Sequence, residues 1–590
     1  MNKQEKLIAI LLGLVLVGWM CHSFLEQKKA AETNARTAVA QTAAQSAPAA
    51  PAAEASKPAV PAPAAEPAKP AAPKAPEKLV KLANAEMELE LSSHGAVIRR
   101  ATMLQYAEKP GAVSEANPAL RLDFAESPVL ALEGLAGVEP DADFEVVSEK
   151  DGAVTFRNAY LTRTVALKAG YRIEVEEDFA KADAAASHRL GLGGMAMGTS
   201  KNDILSIDSW ALDGKKPRVV HHGDEDPLKS YLVNSMGGCG GSRKAAGIPA
   251  VSRVDIPGRQ EWVAVKSRFF VTALAACSEP NAGFRATMAR DVSKQEYALK
   301  RVSASAAFAG VPAKRTYTLY VGPKKQALLW DLGMKDVMEF GMWRWLCYPL
   351  VWVLNLFNSA IPNYGVAIIL LTILVRLLFW PLTHKSTLGM RKMQEIQPLM
   401  KEVQRKYKDN PQRLQQETMA LYREHKVNPL SSCLPMLVQI PVFIALFTVL
   451  RAAVELRYAP FLWISDLSEP EALFASWFPF GGLNILPLAM AGLTMLQSAF
   501  TPSSGDNKQQ QMMMVMMPLM MLFMFYNFPS ALSLYWALST AFGVAQAWWV
   551  KRRYGTPAAP AKGGAVEPDA VEMPVSRQMR RHGRALKVER

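Results

Sequence analysis

Arg376 is the only charged residue in an apolar run, Tyr364 to Leu382, that is long enough to cross a bilayer. A guanidinium at mid-helix depth costs ~2.5 to 3.5 kcal/mol on insertion scales, so such a residue faces a watery cavity or a partner. The chemistry on offer is electrostatic: a fixed positive charge in a half-wet space attracts acidic groups and lowers the cost of taking a polar chain out of water. A second reading is that Arg376, roughly 7.5 Å from Pro381 along a helix, snorkels to the nearer interface. Covalent chemistry finds no support. The apolar segments hold no H-E-x-x-H and no nucleophile with a base. His221-His222 lacks a nearby ligand pattern and reads as a solvated loop, and Gly237 to Gly241 lacks the G-K-[ST] ending of a phosphate loop. Neither an enzyme, a metal nor a cofactor is expected.

The elements that must position Arg376 follow from how the chain segregates its apolar residues. It has 590 residues, 50% of them hydrophobic, a mean hydropathy of +0.03, net charge +14 and pI near 9.4. That balance fits a membrane protein with a large soluble part and basic loops facing anionic lipid. The five cysteines form no C-x-x-C pair. Cys239 and Cys277 fall in the soluble part, where a disulfide and two free thiols are equally compatible with the spacing.

Residues 1–25 hold the apolar stretch Leu7 to Met20 after Lys3 and Lys6, read as an uncleaved anchor. Residues 26–78 form an Ala/Pro-rich linker with nine prolines between Pro48 and Pro76, too poor in core residues to fold and suited to an extended tether. From 79 to 325 short alternating runs such as Met87 to Leu91, Tyr171 to Glu176 and Glu261 to Val265 predict a β-sandwich. Residues 340–550 contain candidate spans at 364–382, 433–450, 483–500, 512–528 and 531–550.

Charge decides the topology. Residues 383–432 carry ten Lys/Arg against five acids, and the tail after 550 carries ten against four. Loop 456–482 has only Arg457 against Asp466, Glu469 and Glu471. The first two are then cytoplasmic and the third lies outside. This requires that 341–359 not cross, and Arg344, Pro349 and tryptophans 343, 345 and 352 suit a helix lying in the interface. Both termini are expected in the cytoplasm and the sandwich in the periplasm. The insert 384–432 reads as a helical hairpin, with Asn410-Pro411 opening its second helix. The basic tail, 551–590, reads as a disordered arm that could meet ribosomal RNA or lipid headgroups.

Leu421 to Leu430, Cys433-Leu-Pro435, Gln439 to Leu446, Val454 to Arg457 and Ala459 to Ser468, with Asn363-Tyr-Gly365 leading to Arg376, together resemble the YidC/Oxa membrane protein insertases over residues 340–550. The anchor, linker and β domain resemble the Gram-negative YidC branch. The resemblance implies a mixed fold, in which a polytopic five-helix membrane core with an N-terminal anchor carries a periplasmic β-supersandwich. It implies insertion and folding of membrane proteins, alone or with the Sec translocon, through a hydrophilic groove open to cytoplasm and lipid. Its groove positions correspond to Arg376, Thr372, Gln439, Tyr535 and Trp536. Implied partners are nascent membrane proteins, SecYEG and SecDF, the ribosome through the basic hairpin and tail, and membrane lipids, with no sequence-specific nucleic acid. Methionines crowd 512–524, and Met517, Met520, Met521 and Met524 are candidate substrate contacts because flexible thioethers adapt to varied helices. A solute transporter or channel using Arg376 as an anion site is the alternative, although no inverted repeat is apparent.

Overall fold

The computed structural model describes residues 76–150, 152–181, 183, 185–196, 198, 203–211, 218–223, 250–290, 299–425, 427–428, 434–474, 482–500, 516 and 518–555. The expected anchor, nearly all of the linker, Cys21, Cys239, Cys433, Gly237 to Gly241, Met512 to Met514, Met517 and the tail beyond 555 lie outside these residues.

The alternating runs form two nine-stranded sheets. One runs in the order Leu79–Ala83, Met87–Ser92, Val97–Ala107, Val129–Glu133, His188–Ala196, Leu299–Phe308, Gly283–Arg290 and Val251–Pro257, with Ala119–Asp123 added beside Val97–Ala107. The other runs Arg218–Gly223, Ser206–Ala211, Gln260–Lys266, Phe270–Cys277, Lys314–Pro323, Arg172–Phe179, Leu161–Leu167, Ala153–Arg157 and Glu145–Lys150. His221 and His222 therefore sit on a strand paired to Ser206–Ala211 and not in a solvated loop. Among the described residues Cys277 has no disulfide partner, and Cys239, the other cysteine of the soluble part, lies outside them.

Strand period two buries every second side chain, and in Leu161–Leu167 that set is Leu161, Arg163, Val165 and Leu167. Arg163 is thus forced inward among apolar residues, where it needs a partner. Glu177 supplies it, accepting from Arg163 Nε at 2.9 Å, from Arg315 Nε at 2.9 Å and from the Tyr317 hydroxyl at 2.8 Å. Arg163 also donates to the carbonyl of Ala96 at 2.9 Å, and Arg315 lies 2.8 Å from His188 of the opposite sheet, so the cluster ties the two layers together. Burial pushes the Glu177 carboxyl up, but the two guanidiniums prevail and hold it at about 2. Burial and the Arg315 charge lower His188 to about 4.

The chain then turns helical. The helices are α1 (Gln326–Asp331), α2 (Arg344–Ala360), α3 (Tyr364–Glu395), α4 (Gln397–Lys406), α5 (Pro411–Glu424), α6 (Leu434–Ala452), α7 (Ile485–Phe500) and α8 (Ser530–Tyr554), with a further helical segment at 518–525. α2 buries Cys347, Leu350, Val351 and Leu354 and exposes Trp345, Trp352 and Leu356 on its other face. α3 has 32 residues, roughly 48 Å, against a hydrocarbon layer of about 30 Å. It runs past the boundary at 382 set by hydropathy, because loss of apolarity marks where a helix leaves lipid and not where its hydrogen bonds stop. The expected hairpin is accordingly the last turns of α3 followed by α4 and α5. Asn410 caps α5 by accepting from the Arg413 amide at 3.1 Å, and Met393, Ile396, Met400 and Val427 form a small core of their own. Among the described residues, one helix, Tyr364–Met393, is long and apolar enough to cross a membrane, and Gln439–Ala452 and Ile485–Ser498 are shorter apolar helices.

Candidate functional site

The site begins with how α3 starts. Asn363 Oδ1 accepts from the amides of Gly365 at 2.9 Å and Val366 at 3.2 Å, which caps the helix. A Cβ on Gly365 would meet the Phe461 ring at 2.1 Å, so glycine lets the loop before α7 lie directly on the first turn of α3. From this fixed start one face of α3 packs inward through Ala367, Ile368, Leu371, Thr372 and Val375, while Leu374, Leu377 and Leu378 are exposed.

Arg376 is half-buried at the edge between those faces. Its Nε donates to Ser539 Oγ at 2.9 Å, and Nη2 donates to both the hydroxyl and the carbonyl oxygen of Ser539 on α8. No carboxylate among the described residues pairs with it, so its positive charge is held by neutral acceptors. Two further contacts repeat the spacing. Gln546 Nε2 donates to Thr383 Oγ1 at 3.2 Å, and Arg391 donates to the carbonyl oxygen of Tyr554. All three pairs are 163 residues apart in sequence. A constant offset means that α3 and α8 lie parallel and in register, from Arg376 to Arg391, over roughly 22 Å. On each helix the polar members recur at i, i+4 and i+11, one face of a 3.6-residue period: Thr372, Arg376 and Thr383 against Tyr535, Ser539 and Gln546.

The third wall is α6. Gln439 Nε2 donates to the Tyr535 hydroxyl at 2.7 Å, which places the two expected groove residues in direct contact. Tyr535 is 1% exposed and Gln439 half-buried. Thr372 is fully buried, and its hydroxyl donates back to Ile368 O at 2.7 Å, so it presents a methyl group and a satisfied hydroxyl to its neighbours. Trp536 points to an aromatic wall, edge-on to Phe443 at 4.8 Å and beside Phe525 at 5.3 Å. Of the methionines, Met520 is 58% exposed, whereas Met521 and Met524 pack on the core. The residues that the sequence left unnoticed are Ser539, Thr383 and Gln546. Their only signal is the repeat of polar positions along otherwise apolar helices.

Asp208 and His221 of the sandwich and Glu339, between α1 and α2, are close enough to share a metal ion. The Lys266 ammonium already sits between them, bonded to Asp208 and 2.9 Å from Glu339, so a buried cation balances both acids. His222 turns away to Phe284 at 5.8 Å.

Residues 356–557 match the family model described as 60Kd inner membrane protein, and residues 243–353 match the YidC periplasmic domain. The chain belongs to the YidC family. It is an inner membrane protein with a periplasmic domain. Among curated relatives, the membrane protein insertase YidC of Syntrophobacter fumaroxidans is 43% identical over 298 residues, 49% of this chain and 53% of that protein. That of Prosthecochloris aestuarii is 34% identical over 365 residues, 59% of this chain and 62% of that protein. The chain thus spans about half the length of the curated relatives it matches. Among solved structures, an active YidC insertase with its first transmembrane domain resolved aligns at 17% identity with a TM-score of 0.35, over 81% of this chain and 93% of that one. YidC from Thermotoga maritima aligns at 14% identity with a TM-score of 0.27, over 79% and 98%.

Proposed function

We propose that this YidC-family chain inserts and folds other membrane proteins by receiving their polar segments along the seam between α3, α6 and α8. The observation that carries the reading is Arg376, a half-buried cation that among the described residues is answered by the neutral oxygens of Ser539, in a stripe of hydroxyl and amide groups. A polar outer segment leaving water loses less solvation in such a seam, and acidic residues gain an attraction to the guanidinium. The apolar part of the client passes along the exposed leucine face of α3 into lipid.

The membrane arrangement belongs to the same proposal: spans at 364–382, 433–450, 483–500, 512–528 and 531–550, with α2 in the interface. Parallel packing of α3 and α8 supports it, because the first and fifth of five successive spans must run in the same direction. It also brings Arg391, in the basic insert, to Tyr554, at the start of the basic tail. Both basic segments then leave the membrane on one side, as the positive-inside rule asks of the cytoplasm. The exposed Trp345 and Trp352 suit the headgroup level. SecYEG, SecDF and the ribosome are proposed partners, and no nucleotide or cofactor enters the work.

Reconstitution in liposomes tests the reading. Insertion of a small membrane protein with no solute flux is the expected result. Anion flux without insertion would give the seam to a transporter or channel.

A further inference from the structure

The sandwich and the helical unit meet at Arg268, in the turn between strands Gln260–Lys266 and Phe270–Cys277. It is 2% exposed, and each of its three guanidinium nitrogens has a partner in the helical unit. Nε donates to Arg451 O at 2.9 Å, Nη2 to Ser468 O at 2.6 Å and Nη1 to the Glu469 carboxylate at 2.5 Å. A buried guanidinium so fully used fixes the groups it binds, since any shift leaves a charge without partners. The turn it grips is itself stiff. Asp466 accepts from the Tyr458 amide at 3.0 Å, the Ser468 amide at 2.8 Å and the Ser468 hydroxyl at 2.7 Å.

The same turn holds α8 from its other side. α8 begins after Pro529 with no side-chain cap, so its first amides depend on outside acceptors. Leu467 O accepts from the Ala531 amide at 2.9 Å, and Glu469 O accepts from the Ser530 amide at 2.9 Å and the Ser530 hydroxyl at 2.7 Å. Within the next turns α8 presents Tyr535 to Gln439 and Ser539 to Arg376. A helix is stiff along its axis, so the height at which its first turn is held is the height of both contacts.

We propose that Arg268 is a positioning residue for the seam: through Ser468 and Glu469 it sets the axial place of α8, and with it the places of Tyr535 and Ser539. The sandwich is then a working part of the insertion site and more than a tethered appendage. The functional half of this proposal rests on the insertion reading, while the mechanical half stands on the distances alone.

The test uses the full chain in lipid, with spin labels replacing the exposed Leu378 of α3 and Arg553 of α8. Arg268→Ala and Glu469→Ala are compared with the otherwise unaltered protein for the interlabel distance and, in unlabelled protein, for the initial rate of client insertion. Glu469→Ala changes no residue of the sandwich and decides the matter if Arg268→Ala fails to fold. Both variants should shift or broaden the distance distribution and slow insertion several-fold, with Arg268→Lys in between. Unchanged distances would overturn the proposal, and so would shifted distances with undiminished insertion. If the unaltered protein inserts nothing, the functional reading fails on its own, and the distances still judge the mechanical half.

Discussion

Arg376 binds Ser539 through two of its guanidinium nitrogens, with Nε 2.9 Å from the hydroxyl. The arginine is therefore aimed along the seam toward α8. This geometry answers the snorkelling alternative, in which the charge would run toward the end of α3. It also sets the first prediction. Arg376→Lys keeps the charge and one bond to Ser539 and should retain much of the insertion activity. Arg376→Ala should impair clients with acidic outer segments most, and Ser539→Ala should fall between because the Ser539 carbonyl still accepts. Equal loss for acidic and neutral clients, measured in liposomes, would remove charge attraction from the account.

The sandwich should be most stable near neutral pH, for reasons that can be followed group by group. His188 is held neutral at about 4, below its unfolded value of about 6.5, so the stability it contributes is complete above 6.5 and is lost as pH falls toward 4. Glu177, lowered to about 2, adds a loss that begins below the unfolded value of about 4.3. His221 works in the opposite sense. Burial lowers it, but Asp208 and Glu339 raise it to about 10, so its contribution is complete below 6.5 and is lost as pH rises toward 10. Thermal melting across pH should give a maximum near 6.5, and His188→Gln should flatten the limb above pH 4. Arg315→Met should cost about 3 to 5 kcal/mol by leaving Glu177 with one guanidinium. A melting temperature unchanged by that substitution would deny the cluster its role in joining the sheets.

Much of this architecture could be read from the sequence, and the exceptions have identifiable causes. Alternation located the sandwich because its strands bury one face. The apolar run places the start of α3 at Tyr364, and the structure fixes it there through the Asn363 cap and the close approach of Phe461 at Gly365. The full length of α3 is not legible from the apolar run, since hydropathy reports lipid and the helix continues through Lys385 and Arg391 to Glu395. His221 looked like a loop residue because its partners, Asp208 and Glu339, are remote in sequence. Ser539 passed unnoticed because a serine in an apolar helix ordinarily bonds its own backbone. Its pairing becomes visible only with the register of α3 against α8.

The basic insert and tail should contribute salt-sensitive binding to ribosomes through phosphate contacts. Truncation at Lys551, which removes Arg577, Arg580, Arg581 and Arg584, should weaken co-sedimentation with ribosomes and reduce its dependence on salt. Unchanged binding would leave these residues a topological role alone.

Topology can be checked with single cysteines in a cysteine-free background. Position 344, at the start of α2, should label from the periplasmic side. Position 405, at the end of α4, should label only after the inner membrane is opened. Labelling of position 405 in sealed cells would place the basic insert outside and remove the cytoplasm-facing opening of the seam.

The central claim is that clients pass along the α3, α6 and α8 seam, and photo-crosslinking from inside it is the most direct measurement. A crosslinker at Gln439 or Trp536 should capture a stalled nascent membrane protein, and one at Trp345, 65% exposed on the far face of α2, should capture little. Capture from Trp345 equal to or stronger than capture from Gln439 and Trp536 would contradict the account.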